Sequence, residues 1–371
     1  MASISMCMIV KNEEKFLGKC LESVKGLADE IIVVDTGSTD RTIEIAKKAG
    51  AKVISYEWND DTAAARNAGL KEAKGDWILI LDADEIIGKE SFEPIRKLTG
   101  MDFDAFYLVQ MNYTNNTKDI NFVPARKTPY SMDFSGFFPV EIIRLFRNSK
   151  GIEFTSIVHE RLNESIKRLG LKTARTDIPI HHYQSLKGEA EMKRKQLAFL
   201  RLFEKKIKEF PDDEKMYHDM GIIYYNYEND EKKAVECFEK AMKLNPKYLA
   251  PMFSLAAIYS RKKDNAKAKG MYEKILAIDQ KHAQTHYNLG NILAEEKNYR
   301  DAIMHYTESA KLKPNPLVFN NLGNIFVILA RWDAALLSYR TAIQLNHPRK
   351  EQLQKKADEI ERMIEKKKEK N

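Results

Sequence analysis

The amino-acid sequence predicts an α/β domain with a mainly parallel, Rossmann-like sheet, followed by an all-α repeat solenoid. Two observations lead to this fold class. Over roughly the first 100 residues, short apolar runs alternate with stretches of helical period, which is typical of parallel strands covered on both faces. After about residue 186 the chain is nearly all helix-forming, and small and aromatic residues recur every 33 or 34 positions. The length of 371 residues also favours two domains.

The elements of the first domain follow one another in strand–helix order. The predicted strands are 4–10, 31–34, 51–56 and 77–81. Between them, Asn12 is predicted to cap the first helix, residues 37–40 cap the second, and 63–73 form the third. From about 104 to 183, aromatic and β-branched residues alternate with polar ones, which predicts antiparallel strands and long loops added to the sheet edge.

A repeat organises the second half of the chain. Three positions recur in phase. A small residue stands at Gly221, Ala256, Gly290 and Gly323, and an alanine stands at Ala234, Ala268, Ala302 and Ala335. An aromatic residue follows each alanine by four positions, at Phe238, Tyr272, Tyr306 and Tyr339. This is the tetratricopeptide period, in which small residues let paired helices pack closely around the aromatic. We therefore predict a first domain at 1–188, about four repeats with a leading helix at 189–348, and a charged capping helix at 349–371.

Composition and charge narrow the possible classes of protein. Hydrophobic residues make up 43% of the chain and charged residues 31%, so the chain can build cores. The net charge of +7 is spread along the sequence, which is compatible with phosphate-bearing ligands but predicts no nucleic-acid partner. Cys7, Cys20 and Cys237 fit no metal or disulfide spacing. Because no signal peptide and no membrane-spanning run is recognisable, we expect a cytoplasmic protein without a transmembrane segment.

Two carboxylate clusters follow predicted strands. Asp35 ends the second strand, and Asp82, Asp84 and Glu85 follow the fourth. Ligands of open α/β sheets bind beyond the carboxyl ends of the strands, where alternating carboxylates can hold Mg²⁺ or Mn²⁺. For one cluster alone, a turn or helix cap is the simpler interpretation. Because both occur in order after apolar strands, we favour a metal site that neutralises a diphosphate.

Several segments resemble the family 2 inverting glycosyltransferases of the GT-A fold. Residues 31–42 resemble their nucleotide-binding segment, 64–69 the helix before the metal motif, and 81–85 the DXD motif. Residues 144–147, 158–160 and 180–183 resemble a bacterial subgroup with C-terminal tetratricopeptide repeats, which includes lipooligosaccharide-core glucosyltransferases and S-glycosyltransferases of bacteriocin peptides. The resemblance implies an enzyme that moves a hexose from a UDP-sugar donor to an acceptor.

The resemblance also implies roles for the nucleotide-binding residues. Asp35 contacts the base, through N3–H of uracil, and Glu13 lines the same pocket. Arg66 approaches the diphosphate. A solvent-facing first-turn residue is the alternative for Glu13, and a surface ion pair is the alternative for Arg66.

The remaining implied roles concern the metal and the proton. Asp84 ligates Mn²⁺ or Mg²⁺ directly, and Asp82 contacts the ribose or a metal-bound water. His182 completes the metal shell or binds the leaving phosphate. Glu160 is the candidate general base, because a carboxylate can remove the proton of a hydroxyl or thiol. For Glu160, a structural role is an alternative of equal weight. We interpret His159 and His181 as structural histidines.

Two further readings of the whole chain remain. A repeat-based scaffold with an inactive first domain would be expected to lose one of the chemical residues, whereas Asp35, Arg66, Asp82 and Asp84 are all present. A nucleotidyltransferase would need a glycine-rich loop where residues 11–14 stand. The acceptor stays open between a peptide or protein side chain and a glycan or lipid-linked sugar, and self-association as a homodimer through the repeats also stays open.

Overall fold

The computed structural model describes residues 2–117, 121–155 and 162–368, with side chains described up to residue 365 in the last helix. The chain divides into two compact units. One contains the residues up to Asn116 together with Ala125–Glu191, and the other contains Thr117–Pro124 and the chain from Met192 onward.

The first part of the chain alternates strands and helices. The strands are β1 (Ile4–Val10), β2 (Glu30–Asp35), β3 (Lys52–Ser55), β4 (Trp77–Ile80), β5 (Glu85–Ile86), β6 (Ala105–Thr114), β7 (Val123–Pro124), β8 (Gly136–Arg147) and β9 (Thr173–His182). The helices are α1 (Leu17–Ser23), α2 (Thr42–Lys48), α3 (Thr62–Glu72), α4 (Phe92–Leu98) and α5 (Asn163–Arg168). The alternating order confirms the predicted succession of strands and helices.

Along the sheet, eight strands lie in the order β3-β2-β1-β4-β8-β6-β9-β5. The first four are mutually parallel, whereas β8 is antiparallel to both β4 and β6. The predicted antiparallel strands are therefore present in β6 and β8, but β9 runs parallel to β6, because it lies beside β6 and not beside β8. The short strand β5 pairs with the end of β9, which places Glu85 opposite His182.

The central strands β1, β2 and β4 are mostly buried on both faces because alternate strand residues enter two different cores. In β1, Ile4, Met6 and Met8 join a core that also contains α1 residues, whereas Cys7 joins a second core with Ala63 of α3. Side chains of successive strand residues point to opposite faces, so a continuous apolar run is needed to fill both. Cys7, Cys20 and Cys237 are buried and unbridged.

The predicted cap of the first helix is wrong. Helix α1 begins only at Leu17, and its N-terminal boundary residue Phe16 makes no side-chain cap. Asn12 has φ 57°, and its Oδ1 atom accepts a hydrogen bond from the Thr39 amide at 2.8 Å. Asn12 tolerates this left-handed backbone better than most residues and joins the loop after β1 to the turn after β2.

The second part of the chain is helical. Its helices are α6 (Glu189–Lys206), α7 (Glu214–Ile223), α8 (Glu231–Leu244), α9 (Leu249–Arg261), α10 (Asn265–Ile278), α11 (Ala283–Glu295), α12 (Tyr299–Leu312), α13 (Pro316–Ile328), α14 (Trp332–Gln344) and α15 (Lys350–Lys368). In the described ranges, no helix combines the length and the apolar character needed to cross a bilayer.

Within each helix pair, a small residue of the first helix faces an aromatic ring of the second. A Cβ atom added at Gly290 of α11 would lie 2.7 Å from the ring of Tyr306 in α12, and one at Gly323 would lie 2.6 Å from the ring of Tyr339. Both tyrosines are almost fully buried. The phased glycines and aromatics are therefore explained by close helix packing.

We expect Gly290→Ala to destabilise the helical unit by about 1–3 kcal/mol, the usual cost of overpacking. The reason is that the added methyl group overlaps the buried Tyr306 ring. The matched control is Gly270→Ala in α10, where an added Cβ meets nothing within 4 Å. That change should be neutral or stabilising, because alanine favours helix by up to about 1 kcal/mol over glycine. Urea unfolding followed by circular dichroism compares the two variants, and equal midpoints would contradict this packing argument.

Candidate active site

The carboxylates after β4 lie in a tight turn. The Glu85 amide donates to the Asp82 carbonyl at 3.0 Å, and the Asp82 amide donates to Glu85 Oε2 at 2.8 Å. These reciprocal bonds fold the segment between β4 and β5. Asp82 and Glu85 share Arg144 as a partner, whereas Asp84 contacts other side chains.

Two buried arginines hold Asp82. Arg66 of α3 donates from Nη2 to Asp82 Oδ1 at 2.7 Å, and Arg144 of β8 donates from Nη2 to Asp82 Oδ2 at 3.0 Å. Although desolvation favours the neutral acid, the two guanidinium groups hold the pKa of Asp82 well below its ordinary value. Asp82 is therefore an anion with both carboxylate oxygens engaged.

Glu85 is the most deeply buried carboxylate of the turn, with no exposed surface. It accepts hydrogen bonds from Arg144 Nη2 at 2.7 Å and from Gln110 Nε2 at 2.5 Å. Burial raises the pKa of Glu85 even though Arg144 opposes this effect. Because a buried charge needs a partner, Arg144 and Glu85 depend on each other.

Asp84 faces a second group of side chains. Its Oδ2 atom lies 3.1 Å from Lys187 Nζ and 3.5 Å from His182 Nε2. Lys187 also contacts Glu13 Oε1 at 2.6 Å. Burial opposes ionisation of Asp84, but the His182 hydrogen bond and the Lys187 ammonium lower its pKa to about 2. Burial likewise favours neutral Lys187, yet Asp84 and Glu13 raise its pKa above the usual value, so a charged pair results.

The hydrogen bonds of His182 fix which ring nitrogen can act as a ligand. Nδ1 lies 2.6 Å from Asn112 Oδ1, and the Asn112 amide nitrogen donates to the Phe138 carbonyl at 3.1 Å. Asn112 therefore presents its oxygen to the ring, and Nδ1 must carry the hydrogen. The other nitrogen, Nε2, points toward the Asp84 carboxylate, where either a proton or a cation can lie between them.

This arrangement fits a divalent cation in its donor chemistry. A metal-binding histidine usually donates its second ring N–H to an oxygen, as His182 does to Asn112. A carboxylate oxygen and an imidazole nitrogen then face each other at Asp84 and His182. In the described part of the chain, no group of three or more His, Cys, Asp or Glu side chains is arranged around one point. The structure brings Asp84 and His182 together but pairs Asp82 with arginines.

Asp35 lies at the end of β2, where its register partner is Val10 at the end of β1. Its carboxylate is buried and accepts the amides of Gly37 and Ser38, each at 3.1 Å from Oδ2. Gly37 has φ 98°, a conformation that favours glycine. The Asp35 side chain thus stabilises the turn that follows β2.

The other candidate residues have different environments. Glu13 is not solvent-facing, because its side chain is only 17% exposed and contacts Lys187. His181 is buried, lies 2.9 Å from the Tyr113 hydroxyl through Nδ1, and stacks on Tyr130. Burial lowers the pKa of His181 to about 4, which agrees with a neutral structural histidine. Glu160 and His159 lie outside the described residues.

Sequence reasoning missed four side chains that complete the site. Arg144 lies in a segment that carried the family resemblance but had no assigned role. Gln110 and Asn112 are two residues apart on β6, and this spacing places both side chains on the face toward Glu85 and His182. Lys187 gave no signal at all, because a single lysine in a polar segment looks like surface.

Comparison with known proteins finds matches to two different families in separate segments of the chain. Residues 5–151 match the family described as glycosyl transferase family 2, and residues 214–248, 251–282 and 283–316 match the tetratricopeptide repeat. A TPR repeat-containing protein of Synechococcus elongatus is 40% identical over 169 residues, which cover 46% of this chain and 38% of that protein.

Two relatives named as glycosyltransferases are also similar. The SPbeta prophage-derived glycosyltransferase SunS of Bacillus subtilis is 27% identical over 248 residues, covering 66% of this chain and 54% of SunS. An uncharacterized glycosyltransferase of Rickettsia bellii is 35% identical over 141 residues, which cover 36% of this chain and 48% of that protein. The chain thus spans about half or less of the length of these relatives. The predicted fold class is confirmed, and the chain carries a glycosyl transferase family 2 domain followed by tetratricopeptide repeats.

Proposed function

We propose that the protein transfers a hexose from a UDP-sugar to an acceptor, with inversion at the anomeric carbon and with a divalent cation. The observation that carries this proposal is the pairing of Asp84 with His182 and Lys187 beside Asp82 and its two arginines. This group lies directly after β4, at the end of the parallel strands where α/β sheets bind ligands. The family 2 match over residues 5–151 supports the same reaction class.

The departure of the nucleotide diphosphate is the step that these residues assist. Asp84 and His182 would hold Mn²⁺ or Mg²⁺, which supplies Lewis-acid neutralisation of phosphate oxygens. Asp82 would contact the ribose or a metal-bound water. Arg66, fixed by Asp82, would lie beside the diphosphate as a permanent positive charge. Holding these charges in place before the reaction lowers the cost of charge separation.

The acceptor attacks as the leaving group departs. A base removes the proton from an acceptor hydroxyl or thiol, the oxygen or sulfur forms a bond to the anomeric carbon, and the bond from that carbon to UDP breaks with the electron pair leaving on UDP. We propose Glu160 as this base on the family resemblance. Glu160→Gln should then lose sugar transfer to the acceptor and keep UDP binding.

A donor screen tests the proposed function. The full-length protein is incubated with UDP- and GDP-sugars, with Mn²⁺ or with EDTA, and free nucleotide and the masses of added acceptors are measured. Release of UDP from one UDP-sugar with Mn²⁺ is the expected result. Absence of turnover with every donor, together with no nucleotide binding by calorimetry, would favour the scaffold reading.

We propose that Asp35 selects uridine by accepting a hydrogen bond from N3–H of uracil. Because its Oδ2 atom already holds the turn after β2, the more useful change is Asp35→Asn, which keeps an oxygen for the Gly37 and Ser38 amides. The new amide nitrogen would face uracil N3–H donor to donor, so we expect UDP binding to weaken by about 1.5–3 kcal/mol. Cytosine offers an acceptor at N3, and CDP should lose less. Calorimetry with both nucleotides measures this, and an equal loss for UDP and CDP would contradict the assignment.

We further propose a division of labour along the chain, with residues 1–188 catalytic, 189–348 a repeat domain for a peptide or protein acceptor, and 349–371 a capping helix. Repeat arrays expose extended surfaces that suit such partners. A glycan or lipid-linked acceptor is the alternative.

Charge reversal tests this division. Lys232→Glu, Lys297→Glu and Lys311→Glu change exposed repeat residues without touching the packed helix interior. If the repeats recognise the acceptor, at least one change raises the acceptor KM while UDP-sugar hydrolysis stays at the wild-type rate. Loss of donor hydrolysis in a folded variant would show that the repeats belong to the active site.

A further inference from the structure

A buried lysine stands between two carboxylates in the candidate active site. The Lys187 side chain is only 7% exposed, and its Nζ atom lies 2.6 Å from Glu13 Oε1 and 3.1 Å from Asp84 Oδ2. It belongs to a short 3₁₀ turn, Gln184–Lys187, directly after β9. Burying an ammonium is costly unless it is paired, so the fold holds this cation here through both anions.

The same oxygen of Asp84 faces two partners. Oδ2 faces both the Lys187 ammonium and the Nε2 atom of His182. A divalent ion held by Asp84 and His182 would have to approach this oxygen as well. Two positive charges on one carboxylate oxygen repel each other at close range, so the lysine and the metal compete.

We propose that Lys187 is a resident counter-ion that competes with the divalent cation for Asp84 and moves to the donor diphosphate when the nucleotide sugar binds. This inference rests on the proposed function, because it assumes the metal site at Asp84 and His182. The lysine side chain suits such a movement, since it is a compact charge on a flexible four-carbon stem. Glu13 contacts the ammonium from the other side and can retain it while Asp84 changes partner.

The binding of the divalent cation and the binding of the nucleotide sugar are therefore linked. Without nucleotide, metal binding must displace Lys187, so the affinity for metal is low. With nucleotide, the diphosphate offers the ammonium new anionic partners and Asp84 is released. Each ligand therefore strengthens the binding of the other through Lys187, in addition to any direct contact between them.

Binding of Mn²⁺ alone tests the proposal without using activity. The free Mn²⁺ in a titration is measured from its electron paramagnetic resonance signal for the wild type, Lys187→Met and Asp84→Asn, in the absence of nucleotide. We expect Lys187→Met to bind Mn²⁺ about tenfold or more tightly than the wild type, because two carboxylates lose their competing cation. Asp84→Asn should lose the site.

The matched control is Lys52→Met. Lys52 is a half-exposed lysine of β3 that pairs with Glu72 at 2.6 Å, so the change removes the same charge away from the site. Its Mn²⁺ affinity should equal that of the wild type. Lys187→Gln, which keeps a hydrogen-bond donor for both carboxylates, replaces Lys187→Met if circular dichroism shows that the methionine variant is unfolded.

The outcomes separate this inference from the proposed metal site. Equal or weaker Mn²⁺ binding by the folded Lys187 variant, with loss of binding in Asp84→Asn, overturns the role of Lys187 and keeps the metal site. Binding that Asp84→Asn leaves unchanged, or no binding by any variant, overturns both. A gain in Lys52→Met as large as in Lys187→Met also overturns the proposal, because the effect would then reflect net charge.

Discussion

Asp84→Asn is expected to reduce the turnover of sugar transfer by about 10²–10³-fold at saturating Mn²⁺ and donor. The substitution keeps the size of the side chain and removes the anionic ligand. Asp84 is almost fully buried and is the carboxylate that faces His182 and Lys187. Loss of its charge therefore removes the group that would hold the cation at the leaving diphosphate.

The fold should survive this change, because Lys187 keeps Glu13 as a partner. Turnover is measured with excess donor over a range of Mn²⁺ concentrations, and circular dichroism checks folding. Asp102→Asn is the matched control, since its carboxylate is 93% exposed and pairs only with Lys172 among the contacts described. Full turnover by Asp84→Asn, or full wild-type activity in excess EDTA, would remove the cation from the mechanism.

Of the substitutions proposed for this protein, Arg144→Met is expected to lower the free energy of unfolding most, by about 3–5 kcal/mol. This is the usual effect of removing one partner of a buried ion pair. Arg144 bridges Asp82 and Glu85, and Glu85 has no exposed surface. Without the guanidinium, the Glu85 carboxylate stays buried with only the Gln110 amide beside its Oε1 atom. Urea unfolding measures the loss.

A double variant and a surface control identify the cause. Arg144→Met combined with Glu85→Gln should be more stable than the sum of the two single effects predicts, because neither charge is then left alone. Arg168→Met is the control, since its ion pair with Glu153 is more than half exposed and should change stability by at most about 1 kcal/mol. Strict additivity in the double variant would contradict the ion-pair explanation.

The stability loss caused by Arg144→Met should depend on pH in a predictable direction. Burial already raises the pKa of Glu85, and the loss of Arg144 removes the main opposing charge, so the pKa rises further. A carboxyl whose folded pKa lies above its unfolded pKa destabilises the fold as pH rises through that folded value. The destabilisation of Arg144→Met relative to the wild type should therefore be smaller at about pH 5 than at about pH 8.

Local patterns in the sequence predicted the fold well. The strands β1, β2 and β4 are mainly apolar runs and the repeats have a fixed period, and both signals arise from neighbours in the chain. The direction of β9 was not predictable, because it depends on which strand it pairs with. Asn12 was assigned as a helix cap from residue type, whereas its actual partner, Thr39, belongs to a different loop.

Of the candidate site, sequence reasoning named the carboxylates and, through the family resemblance, Arg66 and His182. Asp82 and Asp84 follow an apolar strand, which is a local signal. The cationic partners that were missed, Arg144 and Lys187, come from β8 and from the turn after β9, far away in sequence. No periodicity marks a buried arginine or lysine, so Arg144 and Lys187 became visible only when the sheet order brought them to the turn.

The sheet order also has a consequence for the newly made chain. Asp84 is synthesised about 100 residues before Lys187, although the pairing of β5 with β9 brings the two together in the folded unit. At elongation rates of about 5–20 residues per second, about 5–20 s pass between the synthesis of Asp84 and that of Lys187. During that interval the parallel strands β1–β4 can already assemble. Completion of the candidate active site is therefore expected near the middle of translation, after the parallel strands beneath it exist.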